Sequence, residues 1–394
     1  METLFDIVKR NGDFSSYGQA VTMLTRRKKS LYTAFFQLTP VCNLKCRMCY
    51  ARLEPKDVIH SGRNILRFKQ WKWYIDEAVK EGLTEVAFTG GECTLHPDFC
   101  DIYAYAYDQG LQITVMTNGS YMTEQILSLW KERPPLSISI TIYGASEDTY
   151  DHLCGNKMAY EKVYQNIREL DKAGFYLTLK YTAVRENIQD LLPVERFCRQ
   201  EGHILYSSHI LTRFERCTSD ILENEMADEE KFWSIMKQIR KERGAGTAGN
   251  DEVSSEEFVE NFCDLEADMK VAKRGIVCSA ARNSCHIDWE GKMTPCVAFD
   301  ALKLDPVQKG FHECWTEMTE WAEEIPVLEE CVSCVFKYKC NRCVAIHYND
   351  TGEFNKVSPR LCWKRKYPQQ AEEIRNQLID KGLIHSGKMD DFKG

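Results

Sequence analysis

Val41-Cys42-Asn43-Leu44-Lys45-Cys46-Arg47-Met48-Cys49-Tyr50 decides how this chain is read. Three cysteines stand four and three residues apart in one run. A structural zinc ion asks for four closed ligands, whereas a cubane iron–sulfur cluster has four irons to be held by thiolates. Three local thiolates hold three irons and leave the fourth open to a ligand that is not protein. The same run is compatible with a zinc loop that borrows a distant fourth ligand, or with three thiols on one helical face.

A second stretch narrows the choice. The chain continues with Glu85-Val86-Ala87-Phe88-Thr89-Gly90-Gly91-Glu92-Cys93-Thr94-Leu95-His96-Pro97. An apolar strand-like run ends in two glycines and a carboxylate. Glycines at a strand end let the backbone approach a ligand, and a carboxylate accepts hydrogen bonds from an ammonium group. CxxxCxxC followed by a strand and GGE resembles the radical S-adenosylmethionine (radical SAM) enzyme family. The resemblance implies that the open iron of a [4Fe–4S] cluster chelates SAM through its amino and carboxylate groups. Reductive cleavage then yields a 5′-deoxyadenosyl radical that abstracts a hydrogen atom from substrate. It places Cys42, Cys46 and Cys49 on the cluster, and Glu92 with the Gly90 and Gly91 backbone on the SAM amine. Met48 stands where the family usually has an aromatic or large apolar residue near the adenine. Cys93 replaces the commoner proline after GGE.

The totals agree with such an enzyme. The chain has 394 residues, 43% of them hydrophobic, which is room for more than one domain. No apolar run approaches the roughly 20 residues of a membrane span, and the N-terminus lacks a secretory signal. Eighteen cysteines without that signal point to metal ligation in a cytoplasmic protein, not to disulfides. An open cluster is damaged by oxygen, so an anaerobic or facultative microbial host is expected. The net charge of −8 argues against nucleic acid as the main partner, since phosphate neutralisation needs a basic surface.

Residues 1–31 read as an N-terminal helical segment with a basic link, Arg26-Arg27-Lys28-Lys29. Many peptide-modifying relatives carry a leader-binding module there, and the short stretch before Cys42 leaves no room for it. From Tyr32 strand and helix signals alternate. Strands are expected at 33–39, 85–88, 111–116, 136–142, 176–184 and 204–211. Helices are expected at 68–80, 97–108, 124–131, 160–173 and 191–201. Such βα repeats imply a parallel sheet with helices outside, whose ligands bind at the carboxyl ends of the strands. Both motifs follow strands, so they fall on one rim. This is the α/β fold class, the partial (β/α)6 barrel of the family, over residues 32–214. The same rule nominates Thr117 and Asn118 after strand three, Ser139 and Thr141 on strand four and Lys180 on strand five as further SAM contacts. Each of these is equally compatible with an ordinary capping or sheet-edge role.

Residues 215–275 break the rhythm and read as a helical linker, acidic and interrupted by Gly244-Ala245-Gly246-Thr247-Ala248-Gly249. Cysteine density then rises. Cys278, Cys285 and Cys296 precede Cys331-x2-Cys334, Cys340-x2-Cys343 and Cys362, and eight thiolates equal two four-ligand sites. Zinc knuckles have the same arithmetic. The segment 276–366, with a hairpin turn at Glu290-Gly291, resembles a SPASM domain, which binds two auxiliary [4Fe–4S] clusters. The resemblance assigns Cys278, Cys285, Cys296 and Cys343 to one cluster and Cys331, Cys334, Cys340 and Cys362 to the other. It departs from the family in the two-residue gap before Cys343. A C-terminal helix and tail, 367–394, complete the chain. Cys93, Cys100, Cys154, Cys198, Cys217, Cys263 and Cys314 lack ligand spacing, and no histidines form a short-range metal pair.

Relatives with this plan act mostly on ribosomally made peptides or protein side chains. The expected function is therefore oxidative modification of a peptide, as a thioether or carbon–carbon crosslink. Its expected partners are a peptide substrate with a separate leader-binding protein, and a flavodoxin- or ferredoxin-type electron donor. Two alternatives stay open. Anaerobic sulfatase maturases usually have an aspartate directly after the third SPASM cysteine, where this chain has Val297, with Asp300 further on. Dehydrogenation of a small metabolite is the other.

Overall fold

A computed structural model of the chain describes residues 21–22, 24–60, 62–211, 225–243, 275–299, 301–332, 334–336, 340 and 343–382. The start of the N-terminal segment, Cys217, Cys263, the glycine-rich link, Asp300 and the C-terminal tail lie outside the described residues. The chain divides into two compact units, Met1–Arg243 with Ser279–Thr319, and Gly244–Cys278 with Glu320–Gly394.

In the first unit, strands β1 (Thr33–Thr39), β2 (Glu85–Gly90), β3 (Gln112–Thr117), β4 (Ser137–Thr141), β5 (Leu177–Thr182) and β6 (Leu205–Ser208) run parallel, each beside the next. Between them come α1 (Pro55–His60), α2 (Phe68–Lys80), α3 (Phe99–Asp108), α4 (Glu124–Glu132), α5 (Glu147–Cys154), α6 (Met158–Lys172) and α7 (Leu191–Gln200), and α8 (Glu229–Arg243) follows. One face of the sheet is packed by helices. Phe36 of β1 lies 5.3 Å from Trp71 of α2 and 6.4 Å from Phe88 of β2. Phe88 meets Tyr103 of α3 at 6.3 Å, and Tyr103 meets Trp130 of α4 at 6.4 Å. All five are buried, and each such ring removed from water is worth about 1.5–3 kcal/mol.

The other face is polar. Along β5, Leu177, Leu179 and Tyr181 are buried while Thr178, Lys180 and Thr182 are half-buried. This period of two marks a sheet covered on one side only, since strands covered on both faces read as unbroken apolar runs. The polar face is the wall from which site residues project.

Two features differ from the expectation. Helices α1 and α5 were not foreseen, because neither is long enough for a periodic apolar stripe. The ends of α5 are nonetheless marked. Ser146 accepts from the Thr149 amide at 3.1 Å, and Gly155 closes the helix at φ 65°. The second concerns the domain boundary placed at residue 276. Strand β7 (Ser284–Ile287) pairs parallel with β1, and β8 (Met293–Thr294) returns antiparallel through the turn at Gly291, φ 83°. This hairpin therefore belongs to the first unit and covers the edge of β1, which would otherwise offer unpaired backbone groups. Tyr74 of α2 seats it by donating to the Gly291 carbonyl at 2.8 Å.

After α9 (Pro306–Lys309) and α10 (Phe311–Glu324), the second unit contains α11 (Glu329–Val332), α12 (Val344–Thr351), α13 (Trp363–Lys366) and α14 (Pro368–Asp380). Its core joins Phe336 and Trp363 to Ala371, Ile374 and Leu378 of α14.

Candidate active site

The cysteine loop leaves β1 at the carboxyl end of the sheet and is pinned on two sides. On one, the Gly91 amide donates to Thr39 O at 2.7 Å and the Glu92 amide to Val41 O at 2.8 Å. On the other, the Lys45 amide donates to Cys154 O at 2.7 Å and the Arg47 amide to Leu153 O at 3.1 Å. The Arg47 side chain pairs with Glu186 and Glu225.

Cys42, Cys46 and Cys49 lie within electrostatic reach of one another. Burial pushes the Cys42 thiol up to about 12 and raises Cys49, while Cys46 is raised by its hydrogen bond with Cys154 and then by burial. Such thiols ionise in place only when a metal replaces the proton. Donors already face the Cys42 sulfur: the Leu44 amide at 3.4 Å and Asn118 Nδ2 at 3.6 Å. Among the described residues no three cysteine, histidine or carboxylate side chains gather tightly enough for a single metal ion. A cubane asks for a wider set, because each thiolate holds a separate iron. Three converging thiols, with N–H donors at Cys42, fit that group.

The GGE segment is built differently from the expectation. A Cβ on Gly90 would stand 2.5 Å from Thr39 O, and one on Gly91 would stand 2.5 Å from Val41 O and 2.7 Å from Pro40 O. The glycines therefore let the strand end lie against the chain entering the cysteine loop. Glu92 is fully buried. Its Oε1 accepts from the Thr94 amide at 3.2 Å, Thr94 Oγ1 at 2.7 Å and Thr117 Oγ1 at 2.8 Å, and its Oε2 from the Asn118 amide at 2.7 Å. Burial nevertheless holds its carboxyl above the usual range. Asn118 in turn donates to Asn43 Oδ1 at 2.9 Å and accepts from Ser120. Glu92, Thr117 and Asn118 thus form one buried network that ends on Cys42.

Gly91→Ala tests this packing. Overlap with two backbone oxygens should cost about 1–3 kcal/mol and displace the loop, so iron and sulfide in the reconstituted variant should fall well below wild type. Wild-type content and melting temperature would show that the glycine is not required by packing.

The remaining nominated residues are not bound up in this way. Ser139 is buried on β4, in register with Met116 and Thr178, and Thr141 pairs in register with Lys180. No hydrogen bond is formed by the Ser139, Thr141 or Lys180 side chain among the described residues. Burial alone lowers Lys180, with no counter-charge acting on it. Met48 is buried.

In the second unit Cys331, Cys334, Cys340 and Cys362 line one cavity with His347 and Leu361. Burial pushes Cys331 up to about 12 and Cys340 to about 11, with the other thiols of the set adding to both. The Trp363 amide donates to Cys340 Sγ at 3.3 Å. Cys278 lies within reach of Cys343 in the same unit. Cys285 and Cys296 fall in the first unit. The structure departs from the assignment of Cys285. It lies on β7 in register with Ala34, fully buried, and burial alone pushes it to about 12 with no other thiol acting on it. Strand alternation puts Cys285 and His286 on opposite faces, and His286 is the one that bonds Thr294 on the way to Cys296, at 3.0 Å. Cys296 and Cys49 both act on Tyr50. Sequence reasoning also missed Cys154 and Tyr143 beside Cys46. The signal for Cys154 was the Ser146 to Gly155 bracket of α5.

Residues 36–198 match the model of the radical SAM superfamily. The chain carries a radical SAM domain. It is 25% identical to an AdoMet-dependent heme synthase of Methanosarcina barkeri over 342 residues, 84% of this chain and 95% of that protein. It is 22% identical to the antilisterial bacteriocin subtilosin biosynthesis protein AlbA of Bacillus subtilis over 322 residues, 79% of this chain and 66% of that one. In fold it is similar to Streptococcus suis SuiB bound to S-adenosylmethionine, with a TM-score of 0.63 and 14% identity over 89% of this chain and 82% of SuiB. The radical SAM match spans the cysteine loop, the GGE segment and strands β2 to β5. No described helix is long and apolar enough to cross a membrane.

Proposed function

We propose that this chain oxidatively modifies a peptide, forming a thioether or carbon–carbon crosslink in a ribosomally made substrate. The observation that carries this reading is the four-thiol cavity of the second unit, which supports an auxiliary cluster in addition to the one held by Cys42, Cys46 and Cys49. The likeness to AlbA supports the peptide class. Bound SAM and its cluster supply a hydrogen-abstracting radical. The chain's own part is to hold the amino acid end of SAM at the Gly90–Gly91 backbone. Ser139, Thr141 and Lys180 stand with unengaged polar groups on the adjoining wall, where they meet the polar groups of SAM. Complete loading corresponds to about twelve irons per chain, in three four-iron clusters.

A second reading, oxidation of a small molecule, is favoured by the match to the heme synthase, which spans 95% of that protein. Production of 5′-deoxyadenosine decides between them. Stimulation by a short peptide from a neighbouring reading frame, with a new crosslink in its mass spectrum, supports the first reading. Stimulation by a porphyrin precursor of heme and not by peptide replaces it with the second.

Cys334→Ala and Cys340→Ala should lower iron by about four per chain while sparing SAM cleavage in soluble variant, and should suppress modified product. Wild-type product yield at wild-type 5′-deoxyadenosine yield would make the cavity structural.

A further inference from the structure

Gln37 of β1 is a polar residue inside the fold for which the fold itself has no use. Its neighbour Phe36 packs on Trp71 beneath the helices, so strand alternation turns Gln37 to the polar face of the sheet. It is 8% exposed, buried yet still reaching open space. Its side chain forms no hydrogen bond or other polar contact among the described residues. Two residues further on, the Thr39 carbonyl takes the Gly91 amide, so Gln37 lies just below the rim that carries the cysteine loop and GGE. Thr89 of β2 stands beside it in register, half-buried and with its hydroxyl equally unengaged. On the other side, β7 brings His286 into register with Phe35, on the same face as Gln37. Thr294 Oγ1 donates to the Cys296 carbonyl, so it accepts from His286 Nδ1. His286 Nε2 is thereby left as a buried acceptor with no partner.

We propose that Gln37 is a substrate-recognition residue, whose side-chain amide pairs as donor and acceptor with an amide group of the peptide. The proposal rests on the peptide reading given above. A buried amide without a partner lowers stability, and leucine would fill the same volume without that penalty, so packing gives no reason for glutamine here. A glutamine amide offers an acceptor and N–H donors along one edge and carries no charge. A peptide group is its complement, with a carbonyl and an N–H of its own, whereas a carboxylate would use only the donors. The position also separates Gln37 from the residues offered to SAM on the wall. Ser139, Thr141 and Lys180 belong to β4 and β5, and β2 and β3 lie between those strands and β1. The β1–β7 end of the polar face is thus left for a second ligand.

The test uses reconstituted holoenzyme with the synthetic peptide of the neighbouring reading frame as probe. It reads peptide KM and kcat, the SAM dissociation constant and the melting temperature. Gln37→Leu should raise the peptide KM about tenfold, with a smaller change in kcat and a wild-type SAM dissociation constant. Its melting temperature should stay at or above wild type, because the fold loses no hydrogen bond. Gln37→Glu keeps acceptor oxygens but has no donor at neutral pH, and it too should raise KM. An unchanged KM in Gln37→Leu overturns the proposal. So does SAM affinity weakened by the same factor as peptide KM, since Gln37 would then serve the cofactor. A wild-type KM in Gln37→Glu also overturns it, because the ligand would then need no donor. If Gln37→Leu yields no soluble holoenzyme, Gln37→Glu decides by the same KM. A wild-type enzyme that responds to a porphyrin precursor and not to peptide removes the peptide reading, and the proposal with it. Peptide turnover with a KM insensitive to Gln37 removes the proposal alone.

Discussion

Replacing Cys42, Cys46 and Cys49 together by alanine should reduce SAM cleavage to background. The three thiols converge from one loop that is pinned between the GGE segment and the end of α5. No described side chain stands ready to replace all three. Reduced wild-type protein should release 5′-deoxyadenosine and methionine from SAM, and the triple variant should release neither. Its iron content should fall by about four per chain, while iron at the second unit's four-thiol cavity persists. The fold should survive, because these thiols belong to a rim loop and not to the aromatic layer between sheet and helices. Undiminished 5′-deoxyadenosine from the triple variant would end the radical SAM chemistry assigned to this loop.

Glu92→Ala should be the most costly single change outside the cluster ligands. The carboxylate accepts four hydrogen bonds from N–H and O–H groups, and a longer one from the Cys93 thiol, inside a fully buried network. Removing it strands the Thr94 and Asn118 amides and two threonine hydroxyls. Each buried orphan costs about 1–3 kcal/mol. Water entering the vacated space relieves part of this, so a net loss of about 3 kcal/mol is expected in thermal or denaturant unfolding. SAM affinity should fall roughly tenfold or more, because the Gly90–Gly91 backbone and Asn118 lose their common anchor. Glu92→Gln should lie between the two, since its amide keeps one acceptor oxygen but turns an N–H toward the Asn118 amide. Calorimetry and a SAM binding isotherm on the same preparations check both effects. Unchanged stability and affinity would remove Glu92 from the site.

Local pattern made much of the architecture readable. Strand β1 and helix α2 fall on the residues expected of them, and the other five strands of the βα series agree within a few positions. These elements carry complete signals in their own residues. Strand period is visible in Leu136–Ile142, and apolar spacing in Trp71, Ile75 and Val79. Helix α5 was passed over because its eight residues are mostly polar and acidic. Only its caps, Ser146 and Gly155, identify it.

The sequence by itself determined the chemistry available at the rim. CxxxCxxC sets three thiolates within one loop, GGE follows a strand, and strand order places both at the same end of a parallel sheet. Tertiary structure decided what each of these residues works against. Gly90 and Gly91 are small because Thr39, Pro40 and Val41 pass directly over them. Glu92 is held by groups from β3, and Cys46 faces a helix that begins about a hundred residues later in the chain. The resemblance to a SPASM domain groups Cys285 with Cys278, Cys296 and Cys343, but pairing of β7 with β1 turns it toward the helix-covered face. The reason is common to all four cases. Periodicity and spacing record the contacts a residue makes within its own element, whereas the partner across a sheet or under a loop is chosen by how distant segments close on one another.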